Sequence, residues 1–194
     1  MWSAVRHILE FGIAAAVITT GGCDLFSTRD AETPGGGRST WETPREPQDV
    51  LTNLTAAIFE RNTVNYLRSF DADGFLFQPD PFALSQHPNL EGWAYDDESA
   101  HATRLFSEGT LPQDSIIFVV FSATETNFMG DSVEVHTQYD FSAGVTLAGA
   151  PRRMAGTADF YLHMGREGYW AIYRWRDSRT EDQSTWSDLK SVVQ

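Results

Sequence analysis

The chain has 194 residues, with 27 acidic against 14 basic side chains and a formal net charge of −13. Such a surface repels phosphate backbones and carries no basic patch for anionic headgroups, so nucleic acid is not an expected partner. With a single cysteine, Cys23, no intramolecular disulfide can form, and the roughly 140 residues beyond Pro47 must bury a core by packing alone.

Arg6 precedes an apolar run, Ile8–Thr20, of thirteen residues. As a helix it would span roughly 20 Å, short of a hydrocarbon core about 30 Å thick. Glu10 weakens a spanning helix further, and Gly21 and Gly22 then lead into Cys23. A charged start, an apolar middle and a small-residue exit make an export signal. Small residues directly before a lone cysteine resemble the processing site of bacterial lipoproteins. That resemblance implies removal of residues 1–22, acyl chains on Cys23, and a membrane-held protein at the bacterial cell envelope, facing periplasm or exterior. Two or more tails hold a membrane stably where one binds reversibly. The alternatives are an uncleaved anchor or an apolar N-terminal helix on a soluble protein. Residues 23–47 are rich in Gly, Pro, Ser, Thr and charge without apolar periodicity, the pattern of a disordered tether. Trp41 within it is either a contact with the domain or nothing. One domain, residues 48–194, remains.

In that domain Val50, Leu51, Leu54, Ala57 and Ile58 form a helical stripe over 48–60, just after Pro47. Val64, Tyr66, Leu67 and Phe70 predict a second, shorter helix over 63–70. Asp71–Gly74 is turn chemistry, and Phe75–Phe77 a short strand ended by Pro79 and Pro81. A loop to Trp93 precedes a helix over 95–108 with Ala102, Leu105 and Phe106 on its buried side. Four strands follow: 115–123, apolar on both faces; 131–142, strictly alternating; 153–164; and 169–176 after the turn at Gly165–Gly168. A short helix over 185–193 closes the chain. Helices followed by hairpin-linked strands predict an α+β fold, helices packed on one face of a mainly antiparallel sheet. The strand around Phe118 and Val120 needs a cover for its second face, either the C-terminal helix or a second copy of the chain.

This order of elements resembles the nuclear transport factor 2-like superfamily, a cone-shaped barrel. Val50–Leu54 leading to Glu60-Arg61-Asn62 and Tyr66-Leu67 resembles the opening helices of its SnoaL-like members. Phe75–Pro79 is similar to their first strand, and Gly168–Asp177 to their last. The resemblance implies the fold over residues 48–190; its members include isomerases, dehydratases, cyclases and plain binding domains, so it does not choose among them. It also places Tyr66, Phe75, Phe77, Trp93, Tyr139 and Trp170 on elements that line the cone, either as core or as walls for a small apolar ligand.

Chemistry is sparsely signalled. In the isomerase branch a carboxylate moves a proton while a tyrosine steadies the oxyanion. Asp159 or His136 would be the base and Tyr139 the oxyanion partner. Against this, alternation puts Tyr139 with Val133 and Val135 and sets Asp159 opposite, which makes a buried tyrosine, a solvated aspartate and a surface histidine. Glu98 and His101 form half of a Glu-x-x-His metal site whose other half is absent from the sequence. No metal or cofactor is expected. Two functions stay open: a non-catalytic binding or assembly module, homodimeric around Phe118 and Val120, and a small isomerase, dehydratase or cyclase for a hydrophobic substrate.

Overall fold

The structure, a computed structural model, describes residues 40–194. The expected signal segment, Cys23 and most of the expected tether lie outside the described residues. No helix among those described is long and apolar enough to cross a membrane.

Helix α1 (Pro47–Phe59) opens the domain, followed by α2 (Thr63–Leu67), β1 (Leu76–Gln78), α3 (Pro81–Gln86) and a 3₁₀ turn (Pro88–Leu90). Then come α4 (Tyr95–Leu105), β2 (Ile117–Met129), β3 (Ser132–Ala143), β4 (Arg153–Met164), β5 (Trp170–Arg179) and α5 (Trp186–Val192). Three helices start by one device: an aspartate in the first turn reaches back to an N–H that the helix cannot satisfy. Asp49 accepts from the Glu46 amide at 2.9 Å, Asp97 from Ala94 at 2.9 Å and Asp188 from Thr185 at 2.7 Å. The loop expected before Trp93 holds α3, started by Pro81 in its first turn and by the Asp80 side chain, which accepts from the Ala83 amide at 3.0 Å. The second and fourth helices end earlier than their apolar stripes suggest, at Leu67 and Leu105, in turns that carry Phe70 and Phe106 inward.

The five strands lie in the order β1-β5-β4-β3-β2. β1 runs parallel to β5 and every other neighbour is antiparallel. On β3 the odd positions Val133, Val135, Tyr139 and Phe141 face the helices and are buried, while Glu134, His136 and Asp140 face outward. β2 forms an edge and bends at a bulge after Ser122, where Ala123 takes φ 49°.

Two placements differ from the sequence expectation. Residues 40–47, assigned to the tether, lie against the domain: Asn53 holds the Glu42 backbone at both polar atoms, and Trp170 donates to Pro44 and Arg45 carbonyls. Trp41 stacks edge-on against Tyr169 beneath the Arg68 guanidinium. The C-terminal helix is not the outer cover of the apolar edge strand. Trp186 of α5 packs on Tyr139, Phe141 and Trp175, all facing inward, so α5 fills the concave side of the sheet. Its apolar stripe sets that choice, because Trp186, Leu189 and Val193 are all fully buried.

Candidate functional site

The cone's interior is charged at its centre. α4 carries Glu98, His101, Ala102 and Leu105 on its buried side, and α5 with its C-cap residue carries Trp186, Leu189, Lys190 and Val193. Both sets have the spacing i, i+3, i+4, i+7, one helix face. Glu98 and Lys190 therefore point toward each other from facing helices, each 0 % exposed. The Lys190 ammonium donates to both carboxylate oxygens. Tyr66 of α2 adds a donor to Oε1 at 2.6 Å, and Trp93 one to Oε2 at 2.7 Å. Burial pushes the Glu98 carboxyl up, but Lys190, His101 and the hydrogen bonds from Lys190 and Tyr66 more than reverse it, leaving it below its ordinary value. A fully donor-saturated carboxylate is what makes a buried charge tolerable.

Three rings surround the ammonium. Lys190 Nζ lies 4.7, 5.1 and 4.8 Å from the ring centroids of Phe77, Trp93 and Trp175. His101 packs edge-on against Trp93 at 5.9 Å, and its Nδ1 sits 2.5 Å from the Val193 carbonyl. Burial, with Lys190 adding to it, pushes His101 down to about 4, so the ring is neutral and Nδ1 carries the proton it donates. His101 Nε2, Trp175 Nε1 and Trp186 Nε1 are buried without a hydrogen-bond partner among the described residues.

A second network ties α5 to the sheet. Tyr139 donates to Asp177 at 2.7 Å and accepts from the Trp186 amide at 2.9 Å. The other Asp177 oxygen accepts from the Ser187 amide at 2.8 Å and its hydroxyl at 2.5 Å. Burial still pushes Asp177 above its ordinary value, and burial, then Asp177, raises Tyr139 as well. Gly156 makes room for this arrangement, since a Cβ there would stand 2.9 Å from the Tyr139 hydroxyl and 2.5 Å from the Ser178 carbonyl.

Asp159 and His136 are register partners on the opposite, outward side of the sheet. His136 Nδ1 lies 2.5 Å from Asp159, whose other oxygen accepts from Arg176 Nε at 2.8 Å. Asp159 is not the solvated residue its alternation suggests: capped by these two side chains it keeps 8 % exposure. Burial raises its carboxyl, and the hydrogen bonds from His136 and Arg176 outweigh that, leaving a weak base. The sheet thus brings Asp159 and His136 together and sets Tyr139 on the other side. Of the expected cone-lining rings, Tyr66, Phe77 and Trp93 meet at the Glu98–Lys190 pair. Phe75 packs on Phe70 at 4.6 Å, Tyr139 belongs to the Asp177 network, and Trp170 reaches the Arg45 carbonyl at 3.1 Å, on the segment that packs ahead of α1. Among the described residues no three His, Cys, Asp or Glu side chains are grouped to hold a metal. Of the half-motif, Glu98 spends both oxygens on Lys190, Tyr66 and Trp93, and His101 spends Nδ1 on the Val193 carbonyl.

The outer apolar feature is a groove of about 690 Å³ between α1 and β2, walled by Leu51, Ala56, Phe59, Phe118 and Phe121. Phe59 is 72 % exposed, Ile116 69 %, Val120 52 % and Phe118 38 %, a large apolar area beside an open strand edge.

No protein-family model matches the chain, and no curated protein does. Solved structures do. An NTF2-like protein from Cytophaga hutchinsonii is 13 % identical with a TM-score of 0.51, covering 69 % of this chain and 94 % of its own. A nuclear transport factor 2 (NTF2-like) superfamily protein from Salmonella enterica serovar Typhimurium is 12 % identical with a TM-score of 0.52, over 67 % and 85 %. A conserved protein from Planctomyces limnophilus is 16 % identical with a TM-score of 0.50, over 68 % and 91 %. At such identities the likeness is one of fold, and it agrees with helices packed on a curved, mainly antiparallel sheet: the domain has the nuclear transport factor 2-like fold.

Proposed function

We propose that this chain is an assembly domain held at the bacterial envelope by acyl tails on Cys23, joining a second copy of itself through the outer side of β2. The observation that carries the reading is the exposed strip of Ile116, Phe118 and Val120, continuous with the Phe59-walled groove on an unpaired strand edge. Two such strips brought together would remove apolar area from water at roughly 25 cal/mol per Å². A small apolar ligand would compete for the same groove. The isomerase, dehydratase or cyclase alternative needs Tyr139 on the same side as Asp159 or His136; their separation by the sheet, and the depressed basicity of Asp159, favour the non-catalytic reading.

Sedimentation of the Cys23→Ser chain tests the assembly. A concentration-dependent dimer that adding Phe118→Lys with Val120→Lys abolishes is expected; a Cys23→Ser chain that stays monomeric at high concentration refutes it. Mass measurement of the membrane-extracted chain, with and without Cys23→Ser, tests the anchor. Loss of residues 1–22 and a gain of acyl mass on the wild type are expected. An intact N-terminus on unmodified protein would overturn that part alone.

A further inference from the structure

The centre of the cone holds an ammonium among three aromatic rings and a carboxylate. Cations bind over aromatic faces because the ring quadrupole is negative there, and the attraction grows when water is excluded. Here three ring faces and one carboxylate surround a single ammonium at 4.7–5.1 Å from each centroid, with no exposure to solvent. A buried ion pair is generally matched or exceeded in stability by apolar residues of similar volume. Stability alone therefore gives no reason to build this arrangement rather than a Met–Leu contact in a core already rich in Phe and Trp.

A second observation points the same way. His101 Nε2, left as an acceptor because Nδ1–H donates to the Val193 carbonyl, is buried beside Trp93 with no partner among the described residues. Buried polar groups are nearly always satisfied, so an unpaired acceptor beside the aromatic cage marks a place to which a further N–H donor can be added. The occupant present, Lys190, arrives on a helix of seven residues held by side-chain contacts at its start (Tyr139, Asp177, Asp188) and by His101 at its end.

We propose that the cone is a binding site for primary alkylammonium ions, that Lys190 is its resident intramolecular occupant, and that a free amine takes the same place when α5 withdraws Lys190. Phe77, Trp93 and Trp175 would face the ligand's charged head, and Glu98 would accept its N–H groups. This site lies on the other side of the sheet from the assembly surface and does not depend on it.

The test is chemical rescue. Lys190→Ala in the full chain removes Cγ to Nζ, which n-propylammonium replaces atom for atom. Tryptophan fluorescence and the thermal midpoint should respond saturably to n-propylammonium, at least tenfold more tightly than to 1-propanol. Adding Glu98→Gln should remove that preference. Should Lys190→Ala not fold alone, the same compounds are added during refolding, and recovery with the amine but not the alcohol is expected. Equal responses to amine and alcohol, or none to either, would show a merely apolar hole and overturn the proposal. In the unmutated chain, high n-propylammonium should speed hydrogen exchange of the α5 amides where 1-propanol does not. An α5 that stays equally protected would mean that Lys190 is never displaced, and the receptor reading would fall.

Discussion

The two sides of one sheet hold two carboxylate–cation clusters that look alike on paper and differ in kind. Inside, Glu98 and Lys190 are wholly removed from water, and every oxygen lone pair is spent on Lys190, Tyr66 or Trp93. Outside, Asp159 is covered only by His136 and Arg176, whose own side chains remain 44 % and 49 % exposed. A half-wet pair is screened by solvent and contributes little, whereas a dry one leaves a stranded charge if either member is lost. The contrast teaches that residue type and pairing distance do not rank these sites; the water around them does.

The largest break in that contrast is Lys190→Met, which strands the Glu98 carboxylate in the core. A loss of about 3–5 kcal/mol in urea unfolding is expected, with most of it recovered when Glu98→Leu is added. A sole substitution that costs no more than a surface mutation would place water around the pair. Acid sharpens the contrast next. His101 is held near 4 in the folded chain against an ordinary 6.5. Above pH 6.5 neither folded nor unfolded chain protonates it, so it has no effect there. Between 6.5 and about 4 only the unfolded chain takes up the proton, and stability is lost as pH falls, by about 3 kcal/mol across the window. Unfolding of wild type and His101→Gln at several pH values isolates this contribution, since Asp177, raised by burial, acts with the opposite sign in both. The smallest effect belongs to the outer face, where Asp159→Asn should cost about 1 kcal/mol or less, and less again in high salt.

Much of the scaffold was legible because strands declare themselves by alternation. Val133, Val135, Tyr139 and Phe141 on one side and Glu134, His136 and Asp140 on the other gave the correct facing for β3. The centre of the cone was not legible by the same route, because a stripe counted only in apolar residues skips Glu98, His101 and Lys190. Had the helical positions been counted regardless of polarity, Glu98-His101-Ala102-Leu105 and Trp186-Leu189-Lys190-Val193 would have stood out as two buried faces carrying opposite charges. That the two faces meet is a tertiary fact, set by how α4 and α5 approach across the sheet. Asp159 was misplaced for a related reason: period 2 tells which side a residue faces, not whether neighbouring strands supply caps such as Arg176. The packing of residues 40–45 escaped because Asn53 and Trp170, which hold that backbone, carry no local signature of doing so.

Glu98 and its partner are separated by 92 positions along the polypeptide. A ribosome adding roughly 5–20 residues each second therefore leaves the carboxylate waiting for on the order of 5–20 s before Lys190 exists to meet it. The sheet itself is complete only once β5 ends at Arg179, so its centre stands unfilled during the last part of that interval. Its aromatic lining is then what a chaperone or a neighbouring nascent chain would find. Completing the cone is thus a late event in biosynthesis, and α5 is the part whose arrival ends the period of vulnerability.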